Sequence, residues 1–136
     1  MNLDRSIAVS ASGMAAQSAR LRVVAENLAN RDTTGDAPGA EPYRRKTVTF
    51  RSQLDRASGT TTVQAARIGT QPGNFPEMYE PGHPAADERG YVRRPNVDSL
   101  VEVMDMREAQ RSYSANLSVL ETTRAMLMRT IEVLRG

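Results

Sequence analysis

Apolar residues recur every seven positions at both ends of the chain. Near the amino terminus Ile7, Met14, Leu21 and Leu28 are spaced by seven, and Leu3 and Val24 take the second apolar position of the same heptad, which Ser10 and Gln17 interrupt. Towards the carboxyl terminus Met106, Tyr113, Leu120, Leu127 and Leu134 repeat the pattern, with Val103, Leu117 and Ile131 at the second position and Gln110 and Arg124 breaking it. This periodicity predicts two helical arms, over about 3–31 and about 98–135. Ser99-x-x-Glu102 reads as a capping box at the start of the second arm. Acidic Asp98, Glu102 and Asp105 stand early in it and Arg124, Arg129 and Arg135 late, which suits the helix dipole. At 1.5 Å per residue the arms would be roughly 43 Å and roughly 57 Å long. Helices of that length with a narrow apolar stripe need partners along their whole extent. Met104 and Met106, like Met126 and Met128, cannot share one seam, so the second arm is expected to have more than one neighbour.

Between the arms the pattern changes. All 7 Pro lie between Pro38 and Pro95, and seven of the 9 Gly between Gly35 and Gly90. The residues Tyr43 to Phe50 alternate loosely after Pro42, and Thr60 to Ile68 is a β-branched run bounded by Gly59 and Gly69. Residues 72–97 read as an irregular loop with one short strand at Gly90 to Arg93. The expected fold is therefore mainly α with a small β-rich insert. The terminal arms (1–31 and 98–136) are joined by 32–97 as the middle segment, and since the chain returns through it, a coiled-coil-like pair of the two arms would be antiparallel. In the first arm Ala8 to Ala16 are mostly small, so Gly13 is expected to mark close helix packing and not a break.

Composition narrows the chemistry. With 136 residues the chain is one domain in size; it has no Cys, a single His and a net charge of +2. Disulfides and thiolate catalysis are excluded, and a His-based triad or metal site is disfavoured. No apolar run is long enough to span a membrane, and the first residues lack the layout of a secretory signal peptide. Arg44-Arg45-Lys46, flanked by Tyr43 and Phe50, could serve single strands of nucleic acid; the charge of the surrounding segment favours a solvated strand edge. His83 with Asp87 and Glu88 matches no metal-ligand spacing and reads as a structural turn. No catalytic, cofactor-binding or metal-ligating residue is predicted.

Several segments resemble one family. "SASGMAAQSARLRVVAENLANRDTTG" at 10–35 is similar to the amino-terminal signature of bacterial flagellar rod and hook proteins, centred on Ala25, Asn27, Leu28, Ala29 and Asn30. "PYRRKTVTF" at 42–50, "YEPGHPAADERGYVRRPNVD" at 79–98 and "EVMDMREAQRSYSANLSVLETTRAML" at 102–127 narrow the likeness to the proximal-rod members. Gly90, Tyr91, Pro95, Asn96, Tyr113 and Asn116 carry it there. The resemblance implies a non-catalytic axial subunit without cofactors, exported by the flagellar type III apparatus without a cleaved signal. Such a subunit polymerises in the periplasm with other rod proteins and copies of itself. It implies no nucleic acid, no membrane insertion and no small-molecule substrate. Asn27, Asn30 and Asn116 would satisfy helix ends and interhelical polar contacts. Phe50 and Leu54, four apart, resemble the hydrophobic element such substrates present transiently to the export gate; packing within the β-rich piece is the preferred account of the pair. A cytoplasmic coiled-coil adaptor is the alternative reading of the same arms.

Overall fold

A computed structural model describes residues 2–136. Along the chain two long helices flank four strands, in the order α1 (Leu3–Ala29), β1 (Lys46–Asp55), β2 (Thr60–Thr70), β3 (Glu77–Tyr79), β4 (Tyr91–Arg93) and α2 (Ser99–Arg135). The chain divides into two compact units. One comprises the residues up to Leu21, Val48–Arg67 and Met106–Gly136; the other Arg22–Thr47 and Ile68–Asp105.

Helix α1 starts on Asn2, whose carbonyl oxygen accepts from Ser6 N and whose Oδ1 accepts from Arg5 N at 3.2 Å. It ends where Asn30 Nδ2 donates to the Glu26 carbonyl at 2.8 Å, adding a second donor to an oxygen that also accepts from Asn30 N at 3.1 Å. Helix α2 starts differently from the capping box read from the sequence. Asp98 caps it through Leu100 N at 2.9 Å, while the Glu102 carboxylate turns to Arg45 and Asn27. The short Asp98 side chain already occupies the capping position, so Glu102 is free for a longer-range role.

Strands β1 and β2 pair in a two-stranded sheet. Only residues 56–59 join them, too few for a parallel crossover, so they form a hairpin. The Asp55 carboxylate holds the turn through Ala57 N and Ser58 Oγ, and Gly59 adopts φ +66° there.

In the first unit α1 runs unbroken through Gly13 and meets α2 at Asn116. The hairpin lies against α1: Val63 N donates to Ser12 Oγ at 3.2 Å, and the Arg20 guanidinium sits 4.8 Å from the centre of the Phe50 ring. The buried side chains are Ser10, Ala16, Thr60, Ala109 and Thr123. Intrachain burial along α2 thus follows Glu102, Ala109 and Thr123, at multiples of seven, with half-buried Asn116 at the intervening step. This line is small and polar. Of the residues that the heptad reading placed in a seam, Val24 is buried; Leu3, Ile7, Met14, Leu21, Leu28, Met106, Tyr113, Leu120 and Leu127 are half-buried; and Val103, Leu117, Ile131 and Leu134 are exposed. Ala109 and Thr123 are small enough for close helix packing and Glu102 is held by Asn27 and Arg45, which is why these, and not the large apolar positions, lie deepest.

In the second unit β3 and β4 pair antiparallel, with Glu77 opposite Arg93, Met78 opposite Val92 and Tyr79 opposite Tyr91. The two tyrosine rings meet edge to face, 5.4 Å apart. Strand β3 falls where the Pro-rich pattern predicted loop. Gly90 precedes β4 with φ +86°, and a Cβ there would lie 2.8 Å from the Tyr79 ring, so the position needs glycine twice over. The core of this unit is Val23, Val24, Asn27, Ala85, Val92 and Glu102.

Candidate functional site: a buried polar knot

The most completely organised group of side chains surrounds Asn27, near the end of α1. Asn27 is fully buried and satisfies its whole amide. Its Oδ1 accepts from Lys46 N at 2.9 Å and from the Tyr43 hydroxyl at 2.8 Å; its Nδ2 donates to the Lys46 carbonyl at 2.9 Å and to Glu102 Oε2 at 3.3 Å. The side chain therefore pairs with both backbone groups of Lys46, as a neighbouring strand would. Burial raises the pKa of the Tyr43 hydroxyl and keeps it protonated as a donor.

Glu102, in the first turn of α2, is also fully buried. Arg45 Nε donates to its other oxygen, Oε1. Arg45 reaches further, to Gln71 Oε1 at 3.0 Å and Asp105 at 3.4 Å, and its own backbone N donates to Asn96 Oδ1 at 2.7 Å. Asn96 Nδ2 in turn donates to the Gln71 carbonyl. Beside this, Lys46 Nζ pairs with Glu26 at 2.9 Å, and that bond raises the lysine pKa. The end of α1, the start of β1, the segment before α2 and its first turn are tied by one network. An ion pair buried this deeply adds little net stability, but removing one partner is severe. Its use is to fix one geometry.

The basic run is consumed within the chain. Arg44 donates to the Gln71 and Gly73 carbonyls and stacks on Phe75, 4.2 Å from the ring centre. Arg45 is thus not the solvated edge charge that its sequence context suggested. His83 Nδ1 accepts from Ala85 N and its Nε2 lies 3.3 Å from Thr34 Oγ1. No group of three His, Asp or Glu side chains placed to hold a metal occurs among the described residues.

Of the residues singled out from the sequence, the knot brings Asn27 and Asn96 together; Asn30 lies at the end of α1 and Asn116 against Gly13. Ala25 and Ala29 face outward on α1, Tyr91 is exposed on β4, and Pro95 is buried. Phe50 is half-buried under Arg20, whereas Leu54 is exposed on β1. The roles of Tyr43, Arg45 and Glu102 were not apparent from the sequence. The one available signal was Glu102, an acid in a first turn where Asp98 already suffices as cap.

A family model described as flagella basal body rod protein matches residues 7–35, and one described as the C-terminal part of the flagellar basal body rod FlgEFG proteins matches residues 88–133. These two segments contain Asn27 and Glu102. Curated relatives match over nearly the whole chain. The flagellar basal-body rod protein FlgC of Agrobacterium fabrum is 52% identical, over 94% of this chain and 92% of its own length. That of Salmonella typhimurium is 43% identical, over 90% and 91%, and that of Bacillus subtilis 36%, over 98% and 99%. The chain belongs to the FlgC family of flagellar basal-body rod proteins, structural subunits and not a family of enzymes.

Proposed function

We propose that the chain is an axial subunit exported by the flagellar type III apparatus and polymerised, with other rod proteins and copies of itself, into the torque-transmitting shaft across the periplasm. The observation that carries this is apolar surface left open on α2. Val133 is 80% exposed and Leu134 81%, and Val103, Leu117, Met128 and Ile131 are exposed on the same helix. Large apolar side chains exposed in this number along one helix mark a place for another protein. The heptad stripes of both arms are then the seams between neighbouring subunits, and the small, polar line is the seam within one subunit.

The two arms pack antiparallel as one inner domain, with 32–97 as the outer piece. Two contacts support this: Gly13 faces Asn116, and Asn27 bonds Glu102. Each contact joins α1 to α2 within its own unit. A contact that repeats by a screw operation without closing gives a filament. Exposed Leu54, with Phe50, serves as the element that meets the export gate while the chain is unfolded.

The test uses positions that are open in the single chain. Val133→Asp with Leu134→Asp should leave the level and folding of the subunit unchanged and abolish swimming. Normal motility in that strain would contradict the reading.

A further inference from the structure

Helix α2 carries large apolar side chains without an intrachain partner at each of its ends. At the start, Glu102 is fully buried in the knot. Leu100 and Met104 stand two positions before and after it and so point the opposite way, 69% and 62% exposed, with Val101 and Val103 exposed at the flanks. One turn beyond Met104, Glu108 is exposed on the same side. The knot pins this turn from behind through Asn27 and Arg45, so the apolar platform is held in place before anything docks on it. The end of α2 is built differently. Every residue from Met128 to Gly136 is exposed, so the chain itself covers none of the last turns. There Met126, Arg129 and Val133 share one face, and all three are exposed. Among the described residues neither Glu108 nor Arg129 belongs to an ion pair.

We propose that the end of α2 in one copy docks on the start of α2 in a second copy, its apolar side chains covering Leu100 and Met104 while Arg129 meets Glu108. The proposal rests on the shaft reading above and says which surfaces of two copies meet. The sign of charge selects the pairing. Residues 98–108 hold Asp98, Glu102, Asp105 and Glu108 against Arg107, and Glu102 and Asp105 share Arg45. Residues 124–136 hold Arg124, Arg129 and Arg135 against Glu132. Start against start would set acid facing acid, and end against end arginine facing arginine. Of these pairings start against end alone joins opposite signs. Two different surfaces also make the contact heterologous: each added copy presents a fresh start or end, and the array grows without closing.

The chain has no Cys, so introduced thiols are the only ones in it. The experiment uses a strain that makes two forms of the full chain together, Met104→Cys and Val133→Cys, and oxidises its isolated basal bodies. Both positions are exposed, so folding does not depend on them. The mixture should give a disulfide-linked dimer that neither form gives alone, and the chain carrying both changes should give a ladder of linked copies. A swimming strain without the linked dimer, or with one formed by a single variant alone, would overturn the contact and leave the shaft reading standing. Should the thiols themselves stop swimming, charge decides. Arg129→Glu should impair swimming, and Glu108→Arg in the same chain should restore it. Unimpaired swimming with Arg129→Glu, or no rescue by Glu108→Arg, would overturn the contact.

Discussion

Gly13 on α1 and Asn116 on α2 approach so closely that a Cβ on Gly13 would lie 2.8 Å from Asn116 Nδ2. The amide is held there by its bond to the Ser112 carbonyl at 3.0 Å. Gly13→Ala should therefore lower stability by ~1 kcal/mol, although alanine alone favours a helix by about that amount over glycine. In an Asn116→Ala background the sign should reverse, because the space is free and only propensity remains. Urea unfolding of the four variants measures both effects.

Removal of the Asn27 amide strands four groups at once. Asn27→Ala leaves Lys46 N and O, the Tyr43 hydroxyl and one Glu102 oxygen without their partner, and should cost about 2–4 kcal/mol. Asn27→Asp should be worse, since it sets a second carboxylate against Glu102. Denaturant midpoints at neutral pH give the order.

The ion pair should break unequally. Arg45→Met leaves the fully buried Glu102 charge with one amide partner and should cost about 3–5 kcal/mol. Glu102→Gln should cost less, because Arg45 keeps Gln71 and Asp105 and is partly exposed. The double change Arg45→Met with Glu102→Leu should recover most of the loss. Denaturant midpoints of the three variants check the order.

Shifted groups bear on both sides of the second unit's stability–pH curve. Burial raises the Tyr43 pKa above its unfolded value, so its contribution is complete below pH about 10 and is lost as pH rises through the folded pKa. Asp87 goes the other way: the backbone N–H groups of Tyr91 and Arg89 lower its pKa, so its contribution holds above the unfolded carboxylate range and is lost as pH falls through the folded pKa. Tyr43→Phe should flatten the alkaline side of a stability–pH curve and Asp87→Asn the acid side. Unfolding midpoints across pH show which residue shapes which side.

The helices were legible in the sequence because Pro and Gly are confined to the middle and the apolar repeat is long. The strands at 46–55 and 60–70 overlap the β-branched runs, and β4 follows its glycine. Strand β3 was hidden by flanking Pro76 and Pro81, which mark turns more strongly than Met78 and Tyr79 mark a strand. The deepest line on α2 was not legible. Glu102, Ala109 and Thr123 do not register in a hydrophobic pattern, since what buries them is their small size or a specific polar partner. Arg45 was misread for the same reason: a charge next to two others looks solvated until the residue 57 positions later is seen to meet it.

The central claim is that one chain satisfies its knot by itself but leaves the stripe of α2 for other chains. Hydrogen exchange on the purified protein, with its mass followed by sedimentation, tests this most directly. The account predicts a monomer in which Asn27, Lys46 and Glu102 lie in protected segments, while α2 from about Met128 onward exchanges freely. A compact dimer of fixed size, protected along the whole of α2, would contradict it.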